Sequence, residues 1–154
     1  MFYQGKNSSS TQDATPEASS SENSYRSETY KFEVSLPEGF RTSSIPDEST
    51  GGETILLQGT DVQVQIYVMP FDEDITLTAD RVRADIPDIV LKNNRQVAIA
   101  DSSAKALVFD GEDEAFGSTH EAWIVHGGFL YQLKSRLDTG AVLDQMLEEW
   151  QFIR

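Results

Sequence analysis

The stretch EAWIVHGGFLYQLKSR, residues 121–136, decides how the chain folds. Beyond its centre Phe129, Tyr131 and Leu133 occupy every second position, which is the period of a β-strand. The centre itself is His-Gly-Gly at 126–128, and glycine supplies the positive φ angles that a short hairpin connection needs. The stretch therefore predicts a β-hairpin whose turn is His-Gly-Gly, and the motif is not read as an active site.

The two histidines of the chain, His120 and His126, both lie in the first predicted strand of this hairpin. Six residues at about 3.3 Å each place them roughly 20 Å apart on one face of the strand, too far to bind one metal ion together. Trp123 and Val125 take the opposite face. An oxyanion hole of the His-Gly-Gly type also needs a serine in a G-x-S-x-G turn, and that pattern does not occur. We therefore assign no catalytic residue.

Alternating apolar residues elsewhere predict five further strands. The first runs over 30–36 and stops at Pro-Glu-Gly, residues 37–39. Residues 53–70 predict two strands that turn at 59–61, and residues 96–110 predict two more that turn at 101–103. Together with the hairpin of 121–136, this makes seven predicted strands connected in sequence.

Two helices are predicted. Thr78 is a suitable N-cap for a short helix from Ala79 to Ile86, and Pro87 limits its continuation. The second helix lies within 139–150, where an apolar stripe recurs at helical spacing. Its members are Val142, Leu143, Met146, Leu147 and Trp150.

This order of elements indicates an α+β fold: an antiparallel sheet of six or seven strands, one short central helix and one C-terminal helix. A β-sandwich is the alternative. It would leave the apolar stripe of the last helix without a sheet face to cover.

The first 27 residues differ in composition from the rest. From residue 4 to residue 23 no apolar residue is larger than alanine or proline, so the segment buries too little surface to offset its chain entropy. We therefore expect a disordered Ser-rich linker over 1–27 and a single domain over 28–154. Phe2, Tyr3 and Lys6 resemble the polar end of a membrane-spanning helix, and we hypothesise that a membrane anchor precedes them.

The chain carries 26 acidic and 12 basic residues, a formal net charge of −14. Such a charge repels nucleic acid and anionic lipid, so we expect no nucleic-acid partner, and contact with a membrane only through the anchor. The lack of cysteine excludes disulfides, thiolate metal sites and cysteine nucleophiles. The common nucleotide, zinc-protease and redox motifs are absent, and we expect no cofactor.

Two acidic clusters follow predicted strands, at 72–74 and at 110–114, and several carboxylates in one loop could bind calcium. Counting a calcium-binding loop from residue 72 puts Leu77 where glycine is required and Arg83 where the bidentate glutamate belongs. The template does not match, so we interpret these acids as solvated charge. The weak metal candidates are Asp72, Asp74, Asp110, Glu112, Asp113 and Glu114.

The two ends of the domain carry a family resemblance. The opening F-x-V-x-L-P-x-G-F and the closing L-x-x-M-L-x-x-W-x-F resemble the PsbP-like fold of oxygen-evolving-complex subunits and Ran-binding import factors. Residues 28–154 as a whole are similar to uncharacterised single-span proteins of candidate-phylum bacteria. The resemblance implies a fold and a membrane-tethered topology, and it implies no activity because neither match includes a catalytic motif. The residues that carry it are Phe32, Val34, Leu36, Pro37, Gly39, Phe40, Leu143, Met146, Leu147, Trp150 and Phe152.

Our first functional hypothesis is a non-enzymatic extracytoplasmic domain that binds a protein or cell-envelope component through a sheet face or edge. One alternative is a cell-wall or glycan enzyme that uses carboxylates from both acidic clusters, which requires the clusters to converge. The other is a calcium-dependent adhesive or structural module.

Overall fold

The computed structural model describes residues 18–20, 24–100 and 102–153. In chain order the strands are β1 (Ala18–Ser20), β2 (Ser24–Ser27), β3 (Phe32–Ser35), β4 (Arg41–Asp47), β5 (Gly52–Gly59), β6 (Val62–Pro70), β7 (Lys92–Ala98), β8 (Lys105–Asp113), β9 (Gly117–His126), β10 (Phe129–Arg136) and β11 (Gln151–Phe152). The helices are α1 (Ala79–Asp85) and α2 (Gly140–Glu148), and a 3₁₀ turn over Leu137–Thr139 leads into α2.

The hairpin predicted from residues 121–136 is confirmed and lies inside the main sheet. His126 pairs with Phe129 across the turn, and both turn glycines have positive φ, 62° for Gly127 and 92° for Gly128. A side chain at either position would strain the backbone. The strand order of this seven-stranded sheet is β4-β5-β6-β10-β9-β8-β7, with antiparallel neighbours.

The predicted α+β class is confirmed, with one difference in how the strands are distributed. β3, predicted as a strand, belongs to a second, four-stranded sheet of order β1-β2-β3-β11. Its place in the main sheet is taken by β4, which the apolar pattern did not predict. The sequence of β4, RTSSIPD, has no buried residue and includes Pro46, so it shows neither the alternation nor the composition of a typical strand.

The start of the folded part differs from the predicted boundary after residue 27. Ser24–Ser27 forms β2, and Tyr25 is buried against Phe32 with ring centroids 5.9 Å apart. β2 was not predicted because its composition is polar and only its alternate residues face the core. Residues 1–17 and 21–23, which make up most of the predicted linker, lie outside the described residues, as does Asp101 in the predicted turn at 101–103.

One face of the main sheet is covered by α2 and the small sheet. The predicted stripe of α2 faces this core: Leu143, Met146, Leu147 and Trp150 are buried and Val142 is partly buried. Trp150 stacks on Phe32 of β3 with ring centroids 4.5 Å apart and planes 3° apart. Since these rings come from the first and last parts of the domain, their contact closes the fold around the sheet.

The opposite face of the main sheet is covered by α1 and the segments on either side of it, residues 71–91. Thr78 caps α1 as predicted, because its side-chain oxygen accepts a hydrogen bond from the backbone N–H of Arg81. Val82 and Leu77 pack on this face, and the side chain of Gln96 donates to the carbonyl oxygen of Leu77 at 2.7 Å. The main sheet is therefore buried on the α2 face, and on the α1 face it is buried over β8 and β9, whereas the side chains of β5 and β6 on that second face, such as Thr54 and Tyr67, are only half-buried.

We predict a large difference between Leu133→Ala and Leu137→Ala, which are the same substitution four residues apart. Leu133 lies in β10 with no exposed surface, whereas Leu137 is 44% exposed in the 3₁₀ turn. Removing a buried leucine leaves a cavity and should lower the free energy of unfolding by about 2–5 kcal/mol. The Leu137 variant should stay within about 0.5 kcal/mol of the parent. Urea unfolding measures both, and equal losses would contradict the burial pattern.

Candidate functional site

A buried histidine held between two carboxylates is the most unusual polar feature of the fold. His120 of β9 lies directly opposite Asp110 of β8, and α2 brings Asp144 over the ring from the other side. The Nδ1 atom of His120 lies 2.8 Å from an Asp110 oxygen, and Nε2 lies 2.7 Å from an Asp144 oxygen. We call Asp110, His120 and Asp144, with Arg95 and Asn93 of β7, the His120 cluster.

Two residues of β7 complete the cluster. The side-chain amide of Asn93 donates to the second Asp110 oxygen at 3.0 Å. The guanidinium of Arg95 lies 3.9 Å from the Asp144 oxygen that faces His120. Both carboxylates therefore have a second partner besides the imidazole, and the cluster links β7, β8, β9 and α2.

A glycine allows α2 to come this close to the sheet. A Cβ atom on Gly140, the first residue of α2, would lie 2.9 Å from Cγ of His120 and 3.0 Å from its Cβ. Real Cβ contacts are longer than this, so any other residue would push the helix away. Gly140 thereby sets the distance over which Asp144 reaches the ring.

The electrostatics of the cluster favour a charged imidazole. Burial lowers the pKa of His120, but hydrogen bonds to Asp110 and Asp144 outweigh it, so the pKa lies above the ordinary value of 6.5. For Asp110, burial raises the pKa, and the hydrogen bonds from Asn93 and His120 outweigh this and lower it overall. In the imidazolium form both ring N–H groups donate to a carboxylate, a charge-assisted arrangement.

Through these hydrogen bonds the His120 cluster connects α2 to the main sheet. Both ring nitrogens are engaged, so neither is left to exchange a proton with a ligand. The hydroxyl closest in register, that of Ser135 on β10, is buried and donates to the carbonyl oxygen of Arg136. Among the described residues, no hydroxyl group donates a hydrogen bond to the imidazole of His120.

The other histidine, His126, is engaged differently. Its ring stacks on Phe152 of β11 with centroids 3.9 Å apart, and burial lowers its pKa. Because Phe152 packs on the core that α2 also covers, both histidines lie on one face of β9, as predicted. Trp123 and Val125 belong to the opposite core, which confirms the rest of that prediction.

A second buried carboxylate lies on the α1 side of β9 and was not predicted. Glu121 is buried, and its two oxygens accept hydrogen bonds from the hydroxyl of Thr119 at 2.7 Å and the indole N–H of Trp123 at 3.0 Å. Both donors are neighbours at every second position of the same strand. The available sequence signal was an acid inside an otherwise apolar strand, which is rare unless the acid is hydrogen-bonded.

The structure does not bring the two acidic clusters together. Residues 72–74 follow the end of β6, where Pro70 pairs with Phe129 beside the hairpin turn. At the other end of β9, Asp113 pairs with Gly117. The length of β9, about 30 Å at 3.3 Å per residue, therefore separates the clusters. The expectation that they could converge was wrong, because antiparallel pairing sends the ends of β6 and β8 to opposite ends of the sheet.

Several of these acids already have protein partners. Glu73 binds the guanidinium of Arg81 through both oxygens, at 2.8 and 2.7 Å. Asp113 accepts hydrogen bonds from the ammonium of Lys134 at 2.6 Å and from the backbone N–H groups of residues 115 and 116. Within the described ranges, no three His, Cys, Asp or Glu side chains form a group suited to a metal ion. The exposed candidates are Asp72, Asp74, Glu112 and Glu114.

The two edges of the main sheet differ in how they are protected. At one edge, β7 carries Lys92 and Arg95, with an irregularity in its pairing between them and a positive φ of 55° at Asn93. Charges and bulges of this kind discourage the addition of another strand. At the other edge, β4 pairs with β5 in an unbroken seven-residue register. The protective features of β4 lie at its ends, namely Arg41, Pro46 and Asp47. Its side chains from 42 to 45 are uncharged, and Ile45 is 54% exposed.

No protein-family model matches this chain, and no curated protein is significantly similar to it. Neither helix in the described part of the chain is long and apolar enough to cross a membrane. The functional interpretation therefore depends on the geometry of the described residues.

We predict that Asp144→Asn lowers the pKa of His120, because it removes one of the two carboxylates that stabilise the imidazolium. NMR titration of the ring protons measures this pKa directly. Glu148→Gln is the matched control: Glu148 lies one turn further along α2, is exposed, and forms no hydrogen bond or ion pair within the described part of the chain. An unchanged His120 pKa in the Asp144 variant would show that the contact is absent in solution.

The two histidines should affect stability in opposite directions as the pH changes. The raised pKa of His120 contributes stability that is complete below about pH 6.5 and is lost as the pH rises through the folded-state pKa. The lowered pKa of His126 contributes stability above about pH 6.5 that is lost as the pH falls through the folded-state pKa. We expect His120→Gln to lose less stability than the parent between pH 6 and pH 9. His126→Gln should lose less between pH 7 and pH 5. Urea unfolding at each pH measures the free energy of unfolding. Parallel curves of this free energy against pH for parent and variant would contradict the assigned pKa shifts.

Proposed function

We propose that the protein is a non-enzymatic interaction domain that binds an extended segment of a protein partner along the free edge of β4. We further propose that it acts outside the cytoplasmic membrane, tethered through its N-terminal segment. The proposed tether is supported by the Ser-rich, apolar-poor composition of residues 4–23. The proposed PsbP-like architecture is supported by the C-terminal helix packed on an antiparallel sheet beside the first predicted strand.

The open β4 edge is the observation that carries this proposal. All seven residues of β4 pair with β5, and no described strand pairs with the other side of β4. An edge strand presents a row of backbone N–H and C=O groups that another chain can join. α2 and the small sheet cover one face of the main sheet, and α1 covers the β8–β9 part of the other face, so β4 lies outside both cores and contributes no buried side chain.

The side chains around this edge indicate what kind of segment it suits. Ile45 lies on the same face as Thr54 and Tyr67, its neighbours across β5 and β6, so an exposed isoleucine is flanked by half-buried polar groups. Main-chain hydrogen bonds would supply affinity, and an apolar side chain beside Ile45 would supply selectivity. The net charge of −14 disfavours a strongly acidic segment.

We predict that a photo-crosslinking amino acid at position 45 captures a partner at the cell envelope. In the same experiment positions 86 and 137 serve as matched controls, because Ile86 and Leu137 are also exposed apolar residues but lie far from β4 in the chain. Adducts identified by mass spectrometry should form from position 45 several times more often than from either control. Equal labelling from all three positions would contradict a specific role of the β4 edge.

A further inference from the structure

The residues of β4 form a charge pattern that complements itself. The strand begins with Arg41 and ends with Asp47, and the midpoint between them is Ser44. In an antiparallel pair of two identical strands centred on residue 44, residue 41 of one copy faces residue 47 of the other. This register therefore places an opposite-charge pair at each end of the joined strands.

The same register also brings the exposed apolar residues together. Side chains directly opposite each other point to the same face, and Arg41, Ser43, Ile45 and Asp47 share one face of β4 because they alternate along it. In the register centred on Ser44, Ile45 of one copy faces Ser43 of the other. The two isoleucines are then diagonal neighbours, about 7–8 Å apart between backbones and within reach of each other. A side chain that is 54% exposed in the single chain would thus be covered.

We infer that a second copy of this chain occupies the β4 edge, forming a two-fold antiparallel β4–β4 pair centred on Ser44. This inference rests on the proposed function, since it names the occupant of the same edge. It joins two seven-stranded sheets into one continuous sheet. Pro46 has no N–H group and removes one donor per strand, so the pair depends on the central residues and the charged ends.

Both charged groups are suited to this pairing. Arg41 is exposed and has no ion-pair partner within the described residues, although the chain has a large excess of acids. Asp47 is held in place by hydrogen bonds from the backbone N–H of Ser49 at 3.0 Å and the hydroxyl of Tyr67 at 2.9 Å. Hydrogen bonds from the side-chain hydroxyl of Ser49 and from the hydroxyl of Tyr67 lower the pKa of Asp47, so the carboxylate is ionised at neutral pH. A fixed carboxylate therefore lies at one end of β4 and an unpaired cation at the other.

A disulfide tests the register directly, because the chain has no cysteine of its own. In the full chain, Ser44→Cys places one thiol on each side of the two-fold axis, directly opposite each other. Thr42→Cys is the control on the same face of the same strand, where the two thiols would be four residues apart, about 13 Å. Disulfides need Cα atoms within about 7 Å. Under mild oxidation we expect a covalent dimer from Ser44→Cys and several times less from Thr42→Cys. Equal yields, or no dimer from Ser44→Cys, would overturn the inference.

Sedimentation equilibrium at physiological salt tests the charges without a cross-link. Arg41→Glu places two acids opposite each other at both ends of the pair and should weaken dimerisation by about tenfold or more. Lys92→Glu is the control, because Lys92 is an exposed, unpaired cation of the described residues on the opposite edge strand and the change in net charge is the same. Equal weakening by both variants would assign the effect to net charge and overturn the register.

The crosslinking from position 45 separates this inference from the proposed function. Adducts with the mass of two chains support both. If the adducts contain a different protein and this chain sediments as a monomer, the inferred β4–β4 pair is overturned. The β4 edge is then still supported as a binding strand. The absence of adducts above the two control positions would overturn both.

Discussion

The packing of two separate cores on the main sheet, one on each face, is the constraint on which the rest of the structure depends. The central hairpin of β9 and β10 sends alternate side chains into two separate cores, and each core needs its own cover. α2 and the small sheet cover one face, where Trp150 stacks on Phe32. α1 and the segments beside it cover the other. Among the described strands of this sheet, β4 and β7 are each paired on one side alone.

The buried polar groups of β9 lie at the end of the hairpin away from its turn. His120 is bound on one face by Asp110 and Asp144, and Glu121, its neighbour in the chain, is bound on the other face by Thr119 and Trp123. Burying such groups is costly unless they are paired or hydrogen-bonded, so their partners must be in place for the sheet to be covered at this end. The contribution of the His120 cluster to stability therefore depends on pH. The exposed edge of β4 lies at the far side of the sheet from β8 and β9.

Sequence patterns predicted the elements that bury apolar residues at regular spacing. The hairpin of 121–136, the N-cap at Thr78 and the apolar stripe of α2 were all confirmed, because each is marked by a pattern of residue types close together in the chain. β4 was missed for the opposite reason: it contributes no buried side chain, and only pairing with β5 makes it a strand. β2 was missed because one buried tyrosine in a polar stretch is too weak a signal.

The candidate site also combines features that the sequence predicted with features that only the tertiary structure determined. From the sequence alone came the α+β class, the turn at His-Gly-Gly, and the placement of both histidines on one face of β9 with Trp123 on the other, because backbone geometry fixes the direction of successive side chains. Only the tertiary structure decided what each histidine contacts and which edge stays open. Asp110 is ten residues from His120 in the chain and Asp144 is twenty-four, so their meeting depends on strand register and on how closely Gly140 lets α2 approach. The strand order likewise placed the two acidic clusters at opposite ends of the sheet, since contacts between distant residues are set by packing and not by local pattern.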